Sequence, residues 1–371
     1  MEEYNRIKIQ HICSNICSGG TPKSTIAEYY GGNIPWLNTK EINFCRIYGT
    51  EKTITDKGLN NSSAKWIPTD SVIVAMYGAT AGKTAIAKIP LTTNQACCNL
   101  TIDSAKADYR FVYYALCNDY AYLASLANGG AQQNLNAQQI KEFEIPFPSL
   151  EEQKRIADIL SSLDSKIELN RRINDNLEQQ AQALFKSWFV ENASYSGVSI
   201  SEYFLPNRGK NLLVSDAKGG ITPVVAGGLT PSAFHNVANT KAPVITISAS
   251  GANAGFVNLW GIPVWAADSS YIDSTIVSNI YFWYNLLKYN QKNIYESQTG
   301  SAQPHIYPKH IGNLLIPDLD MRKVECYESI VTSMYLQINE IQQETKFLSD
   351  LRDTLLPKLM SGELKINDLN C

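Results

Sequence analysis

The chain carries the same series of sequence features twice, and this duplication constrains its fold more than any other property. Three features recur in the same order, 170–173 residues apart: the loop glycines Gly78 and Gly251, the turns Gly130–Gln133 and Gly300–Gln303, and the pairs Ile145-Pro146 and Ile316-Pro317. A duplicated chain is expected to fold into two similar domains and can present two similar surfaces related by a pseudo-twofold axis. Such a pair of surfaces suits duplex DNA, which has a matching symmetry.

A different pattern follows each globular half. Ser149–Glu152 has the spacing of a capping box, which predicts a helix start. Apolar residues then recur at alternating spacings of four and three, as in the seam of a coiled coil. The seam positions include Leu160, Leu163, Ile167 and Leu177 in the first segment, and Val331, Met334, Ile338, Ile341 and Leu348 in the second.

Each of these segments is long enough for a helix of about 50–60 Å at 1.5 Å per residue. A helix of this length with a narrow apolar seam is not stable alone in water, so we expect the two helices to pair as an antiparallel coiled coil. Pro357 and Gly362 are expected to end or kink the second helix. Asn170 and Asn174 fall on the seam, where they indicate either a solvated stretch or a polar pair that specifies helix register.

These patterns predict an α+β fold with two similar globular domains, residues 1–148 and 193–319, each followed by a helical segment, residues 149–192 and 320–371. Strands are predicted at Val72–Met76 and Ala85–Ile89 in the first domain and at Val244–Ser248 in the second. Apolar residues at helical spacing predict helices that cover these sheets, Tyr109–Leu126 and Ile276–Tyr289.

Composition excludes several classes of protein. The net charge is −3, with +1 in each globular segment and −2 and −3 in the helical ones, which argues against a general polyanion binder. The eight cysteines form no C-x-x-C motif and there are only four histidines, so we expect free thiols and no metal site. No apolar run is long enough to span a membrane and no signal peptide is visible, which predicts a cytoplasmic protein.

The most suggestive catalytic motif is Gly78–Thr84, which follows a predicted strand and resembles a phosphate-binding loop. It has three residues between Gly78 and Gly82-Lys83, whereas a P-loop has four. The second copy, Gly251–Phe256, has no lysine. Both observations favour a tight structural turn. An NTP-dependent enzyme that uses this loop remains as an alternative interpretation.

Other catalytic motifs are also weak. Glu152-Gln-Lys154 has the E-x-K form found in nucleases, but the capping box already explains Glu152. The chain has no Pro-Pro segment of the kind that a DNA-methylating enzyme uses at the flipped base, and no G-x-S-x-G motif. We therefore predict no catalytic activity for this chain.

Polar and aromatic side chains on loops are the remaining candidates for function, because such groups can contact phosphates and base edges. Each is also an ordinary loop residue. If the two halves bind different DNA sequences, residues that both halves share are expected to support the fold. Residues that differ between the halves are then the better candidates for contacting DNA. Lys83 differs from Phe256 and Asn134 from Pro304 in our alignment. The candidates for DNA contact are Lys23, Asn38, Lys40, Lys83, Asn134, Asn253, Tyr271 and His305.

Several segments resemble one known family. Ser18–Lys23 and Tyr29–Leu37 resemble the opening of target-recognition domains in specificity (S) subunits of type I restriction–modification systems. Pro148–Asn170 is similar to the central spacer helix of that family, and Leu355–Leu364 to the end of its distal helix. There are departures: Gly219–Pro223 is only a remnant of the opening motif, and the distal helix lacks the Glu-Glu-Gln start.

The resemblance implies a subunit without catalysis of its own. Each globular domain would read one half of a split site in double-stranded DNA. The helices would set the spacer and bind two modification subunits, which methylate adenine at N6 with S-adenosylmethionine. Restriction subunits would join these in a complex that cleaves DNA. This chain would itself bind no cofactor. A coiled-coil adaptor that does not bind DNA is the further alternative.

Overall fold

The computed structural model describes residues 4–127, 134–191, 193–300 and 303–366. It divides into two compact units. Unit 1 contains residues 1–167 and 347–371, and unit 2 contains residues 168–346. The boundary falls within both long helices, and each is given below with the unit in which it begins. No described helix is both long and apolar enough to cross a membrane.

Unit 1 contains two sheets, a short strand pair and several helices. Its elements, in chain order up to the first long helix, are β1 (Arg6–Lys8), β2 (Cys13–Ser18), β3 (Tyr30–Leu37), β4 (Cys45–Ile47), β5 (Lys52–Ile54), α1 (Asp56–Asn60), β6 (Trp66–Ile67), β7 (Val72–Ala75), β8 (Thr84–Ala87), β9 (Leu91–Thr93), β10 (Cys97–Ile102), α2 (Tyr109–Asn118), α3 (Tyr120–Ser125), α4 (Ala137–Glu142), β11 (Glu144–Pro146) and α5 (Leu150–Phe189). The sheets have the orders β2-β10-β7-β8-β4 and β5-β3-β9-β6, and β1 pairs with β11.

Unit 2 repeats this architecture with fewer strands. Its elements, ending with the second long helix, are β12 (Asn207–Arg208), β13 (Thr222–Val225), β14 (Ala233–His235), β15 (Val244–Ser248), β16 (Val257–Trp260), β17 (Trp265–Ala266), β18 (Ser269–Asp273), α6 (Ile280–Tyr289), α7 (Gln291–Glu296), α8 (Pro308–Gly312) and α9 (Met321–Ser361). The sheets have the orders β12-β18-β15-β16 and β14-β13-β17.

In each unit a central strand is buried along its whole length. Every residue of β7 and β15 is buried, and both strands consist mainly of β-branched residues, which suit a buried pleated surface. Helix α2 covers the sheet in unit 1, and α6 covers it in unit 2, as predicted. The predicted helix Tyr109–Leu126 is two helices, because the chain leaves helical geometry at Asp119.

The long helices contact each other within each unit and run in opposite directions. In unit 2 the Tyr327 hydroxyl donates to the Ala181 carbonyl at 2.9 Å, and Asn170 Nδ2 donates to Glu344 at 2.8 Å. In unit 1 Arg352 Nη1 lies 2.8 Å from Asp164 Oδ1. Residues with higher numbers in α5 contact residues with lower numbers in α9, so the two helices are antiparallel. A regular coiled coil over the whole length of the helices remains a prediction.

The structure buries the predicted seam wholly or in part. Leu160, Ile167, Val331 and Ile338 are buried, and Leu163, Leu177, Met334, Ile341 and Leu348 are half-buried. Asn170 is fully buried, so the interpretation of that position as solvated is wrong. The register role of Asn170 and Asn174 stays a prediction.

The helix ends differ in detail from the predicted ones. Ser149 Oγ accepts from the Glu152 amide at 3.3 Å, as a capping box requires. The Glu152 carboxylate, however, accepts from the Tyr4 hydroxyl at 2.8 Å, and a return bond to Ser149 is not among the described hydrogen bonds. Pro357 lies inside α9 and does not end it. The helix ends before Gly362, whose φ of +75° is left-handed.

Candidate nucleic-acid interface

The loop after β7 is a tight hairpin turn held by its own backbone. Gly82 N donates to Ala75 O at 2.8 Å, Ala81 N to Gly78 O at 3.0 Å, and Lys83 N to Thr80 O at 2.9 Å. Gly78 and Gly82 have φ values of +70° and +84°, which glycine adopts without strain.

The loop after β15 has the same backbone structure. Gly255 N donates to Ser248 O at 2.7 Å, Ala254 N to Gly251 O at 3.0 Å, and Phe256 N to Asn253 O at 2.9 Å. Gly251 and Gly255 also have positive φ, +83° and +87°. The duplication seen in the sequence is therefore present bond by bond.

This geometry does not suit a nucleotide-binding loop. The Gly78–Gly82 loop joins β7 to β8, which pair antiparallel. A P-loop instead leads into a helix whose N-terminus faces the phosphates. Lys83 Nζ donates to Asn43 Oδ1 at 2.8 Å and lies 5.9 Å from the centre of the Phe44 ring. The loop therefore serves as a structural turn that positions Lys83 beside an aromatic ring.

A β-bridge anchors a second segment beside each loop. In unit 1 Tyr77 bridges to Asn134. In unit 2 Ser250 bridges to His305. Equivalent backbone bonds follow at once: Leu135 N donates to Met76 O at 2.8 Å, and Ile306 N donates to Ala249 O at 2.9 Å.

These bridges correct the alignment of the two halves. Asn134 corresponds to His305, whereas the sequence comparison placed it against Pro304. The comparison was wrong by one residue because the bridge residue directly follows Gln133 in unit 1, whereas Pro304 stands between Gln303 and the bridge residue in unit 2. Both turns, Gly130–Gln133 and Gly300–Gln303, lie partly outside the described residues.

The two bridges display different side chains on a common backbone. We call the side chains at and beside each bridge the bridge surface: Tyr77, Lys83, Asn134 and Asn136 in unit 1, and Ser250, Phe256, His305 and Tyr307 in unit 2. The Tyr77 side chain is 44% exposed and that of Tyr307 is 42% exposed. The rings of His305 and Tyr307 are stacked, with their centres 5.9 Å apart. Amide, imidazole and aromatic groups in such positions can hydrogen-bond to bases or stack on them.

Each unit also places a lysine against an aromatic ring beside its loop, with the two roles exchanged. In unit 1 the loop supplies Lys83 and Phe44 supplies the ring. In unit 2 the loop supplies the ring of Phe256, and Lys288 of α6 lies 5.0 Å from its centre. Sequence reasoning missed Phe44 and Lys288. Phe44 has a φ of +51°, an unfavourable backbone conformation for a bulky residue.

The remaining five predicted residues are not part of the bridge surfaces. Asn38 Oδ1 caps a short 3-10 helix, Thr39–Glu41, and Lys40 is ion-paired with Glu51. Lys23 is exposed in a turn, and Asn253 is half-buried within its loop. Tyr271 lies in β18, where it pairs with Thr246 and packs against a small apolar cluster. Asn38 and Tyr271 thus have structural roles, and DNA contact by these five residues stays a prediction.

Nothing in the described part of the chain forms a metal centre, since no three His, Cys, Asp or Glu side chains lie close enough to hold an ion. Burial raises the pKa of the Cys98 thiol to about 12, with a smaller contribution from nearby Cys17 and Cys13. Burial also raises the pKa of Cys13 to about 12. These thiols are therefore protonated at neutral pH and are poor nucleophiles.

Comparison with known proteins gives consistent matches. The family model described as the type I restriction modification DNA specificity domain matches residues 1–179. The MjaIX type I restriction enzyme specificity subunit of Methanocaldococcus jannaschii is 28% identical, over 99% of this chain and 95% of that protein. A putative type I specificity subunit of Mycoplasma genitalium is 28% identical, over 81% of this chain and 84% of that protein.

A solved structure has a similar fold. The crystal structure of the type I restriction-modification system S subunit from M. genitalium superposes with a TM-score of 0.63. The alignment covers 96% of both chains at 24% identity. The mixed α/β architecture described above is thus found in a solved protein.

Proposed function

We propose which parts of this chain contact DNA and which parts bind other subunits. The chain belongs to the family of type I restriction–modification DNA specificity subunits. The chain recognises DNA sequence for such a system. In our proposal each unit reads one half of a bipartite site. The main support is that two bridges with the same backbone bonds display different side chains. A similar backbone that carries different side chains is suited to two unlike half-sites.

The contacts to DNA would be of two kinds. Asn134 and His305 occupy equivalent positions and can hydrogen-bond to base edges, so we assign them to sequence reading. Lys83 and Lys288 each carry a charge held beside an aromatic ring, so we assign them to phosphate contact. Phosphate contacts position a protein on DNA, whereas base contacts select the sequence.

The long helices would separate the two readings and bind the modification subunits. Each helix has about 40 residues, and at 1.5 Å per residue it is about 60 Å long, or roughly 18 base pairs of duplex. Because the domain-plus-helix unit occurs twice, two modification subunits can bind in equivalent ways. S-adenosylmethionine would be held by those subunits, and the complex would act on DNA in the cytoplasm, with restriction subunits added where cleavage occurs.

Footprinting of the complex with its modification subunits tests this proposal. We expect two short protected blocks with a fixed gap. Asn134→Ala should weaken discrimination against the wrong base in one block by about 1–3 kcal/mol, and His305→Ala should do so in the other block. Gln138→Ala, at an exposed position on α4, is the matched control. One continuous footprint, or a variant that alters both blocks together, would contradict the proposal.

A further inference from the structure

A small cavity with a cationic lining lies in unit 1 and shares no residue with the bridge surface. It has a volume of about 180 Å³. Its lining consists of three cationic side chains, three residues with hydroxyl groups and one apolar residue: Arg46, Lys88, Arg110, Tyr109, Ser161, Ser165 and Ile86. No carboxylate is part of this lining. We call it the cationic cavity.

The three cations are held in place by hydrogen bonds. Arg46 Nη1 donates to Ser165 Oγ at 2.8 Å, and its Nη2 donates to the Ser161 carbonyl at 3.0 Å, both on α5. Lys88 Nζ donates to Asp70 at 2.5 Å and to the Tyr109 hydroxyl at 3.2 Å. The cation positions are therefore set before any ligand arrives, which lowers the entropic cost of binding.

Arg110 is anchored by two carboxylates. It lies 2.9 Å from Asp108 and 2.6 Å from Asp158. Asp158 is 66% exposed and Asp70, the partner of Lys88, is 39% exposed, so water screens both of these carboxylates. An arginine has five N–H donors and a lysine has three, so donors remain on Arg110 and Lys88 after these bonds are made.

Unit 2 contains the same site without the cations. Lys88 directly follows β8, and its equivalent directly after β16 is Gly261. Arg110 is the second residue of α2, and the second residue of α6 is Tyr281. The cavity there has only about 80 Å³ and is lined by neutral residues, three tyrosines among them, and by Glu178. The positive charges of Lys88 and Arg110 are therefore a feature of unit 1 that its counterpart in unit 2 does not share.

We propose that the cationic cavity binds a tetrahedral phosphate-type oxyanion. Arginine and lysine form charge-assisted hydrogen bonds to phosphate oxygens, and hydroxyl groups complete such sites. The volume corresponds to about six water-sized groups at ~30 Å³ each, which is enough for one phosphorus and four oxygens. A DNA phosphodiester and free inorganic phosphate share this chemistry.

The first test uses the full-length chain and inorganic phosphate. We expect phosphate to raise the melting temperature above the value in sodium chloride at the same ionic strength, and Lys88→Gln with Arg110→Gln to abolish this rise. The control pair is Lys57→Gln with Arg155→Gln, which also removes one lysine and one arginine from ion pairs in unit 1 and should keep the rise. Lys88→Arg should also keep it, which separates loss of charge from misfolding.

The second test identifies the source of the oxyanion and uses DNA with the full complex. If the ligand is a DNA phosphate, the Lys88/Arg110 variant should reduce the slope of log affinity against log salt by roughly 0.9, while the control pair leaves it unchanged. An unchanged slope together with a lost phosphate response would assign the site to free phosphate. No phosphate response in the wild type and equal slopes in all variants would overturn the inference.

This second test rests on the proposed function, whereas the first does not. The proposed function fails if the two-block footprint is absent, even when the cationic cavity binds phosphate. The cationic cavity fails if phosphate and salt responses are absent, even when the two blocks are observed. The two failures are therefore distinguishable.

Discussion

Replacing Asn170 by leucine should make the chain more stable, although it removes a hydrogen bond. Asn170 is fully buried between the helices of unit 2. Its Nδ2 donates to Glu344 at 2.8 Å, whereas its Oδ1 has no partner among the described residues. An unpaired buried oxygen costs about 1–3 kcal/mol of folding free energy. The present seam therefore contains a destabilising group at a position where leucine is the usual residue.

The expected increase in the free energy of unfolding is the sum of three contributions. Removing the unpaired oxygen recovers ~1–3 kcal/mol, and burying a leucine side chain adds ~1.5–3 kcal/mol. Losing the bond to the Glu344 carboxylate costs ~1.5–3 kcal/mol, and Glu344 is exposed enough for water to solvate it. The free energy of unfolding should thus rise by about 1–3 kcal/mol in Asn170→Leu.

Urea denaturation followed by tryptophan fluorescence measures the change, and hydrogen exchange of the helix amides near residue 170 localises it. Asn176→Leu is the matched control, because Asn176 is exposed on the same helix and should change stability by less than about 0.5 kcal/mol. An Asn170→Leu variant that is no more stable than Asn176→Leu would contradict this prediction. It would mean that an ordered water or a further group satisfies the Asn170 oxygen.

Three further results are expected. Ile338→Asp places a charge in the buried helix seam and should lower the free energy of unfolding by about 3–5 kcal/mol in thermal or urea denaturation, so an unchanged value would count against the seam. Lys83→Gln should weaken DNA binding equally for all sequences and lower the salt slope by roughly 0.9, and a changed sequence preference would argue against a phosphate contact. Burial raises the pKa of Glu328 more than the donated amides of Tyr281 and Phe282 lower it. The folded state therefore binds the proton of the Glu328 carboxyl more tightly than the unfolded state does. The contribution of Glu328 to stability is greatest below its pKa in the unfolded chain, and it is lost as pH rises through its higher pKa in the folded chain. Glu328→Gln should remove this part of the pH dependence in denaturation curves, and an unaltered pH profile would speak against it.

Much of the architecture was predictable, because it depends on local patterns. The apolar alternation of Val244–Ser248 predicted β15 with its observed bounds. The seam spacing predicted two helices that the structure shows with 40 and 41 residues. The missing lysine in Gly251–Phe256 favoured a structural turn, and the hairpin geometry of both loops confirms such a turn.

The candidate site was less predictable, because it depends on contacts between distant segments. Asn134 was placed against Pro304, and only the bridge to Tyr77 and its counterpart at Ser250 showed that His305 is the true equivalent. Lys288 gave no signal, because its place beside Phe256 arises from packing of α6 against the sheet. The carboxylate of Glu152 was assigned to its own helix cap, but Tyr4, distant in sequence, donates to it.

Local patterns in the amino-acid sequence are enough to predict the duplicated plan, the positions of the two long helices and the family resemblance, since periodicity and short motifs act over a few residues. Packing of distant segments determines which residues pair across the two bridges. It also determines which polar groups are buried without a partner in the helix seam. Finally, the tertiary structure shows that Arg46, Lys88 and Arg110, far apart in the chain, line one cavity, because strand pairing and helix packing bring together residues that no local pattern connects.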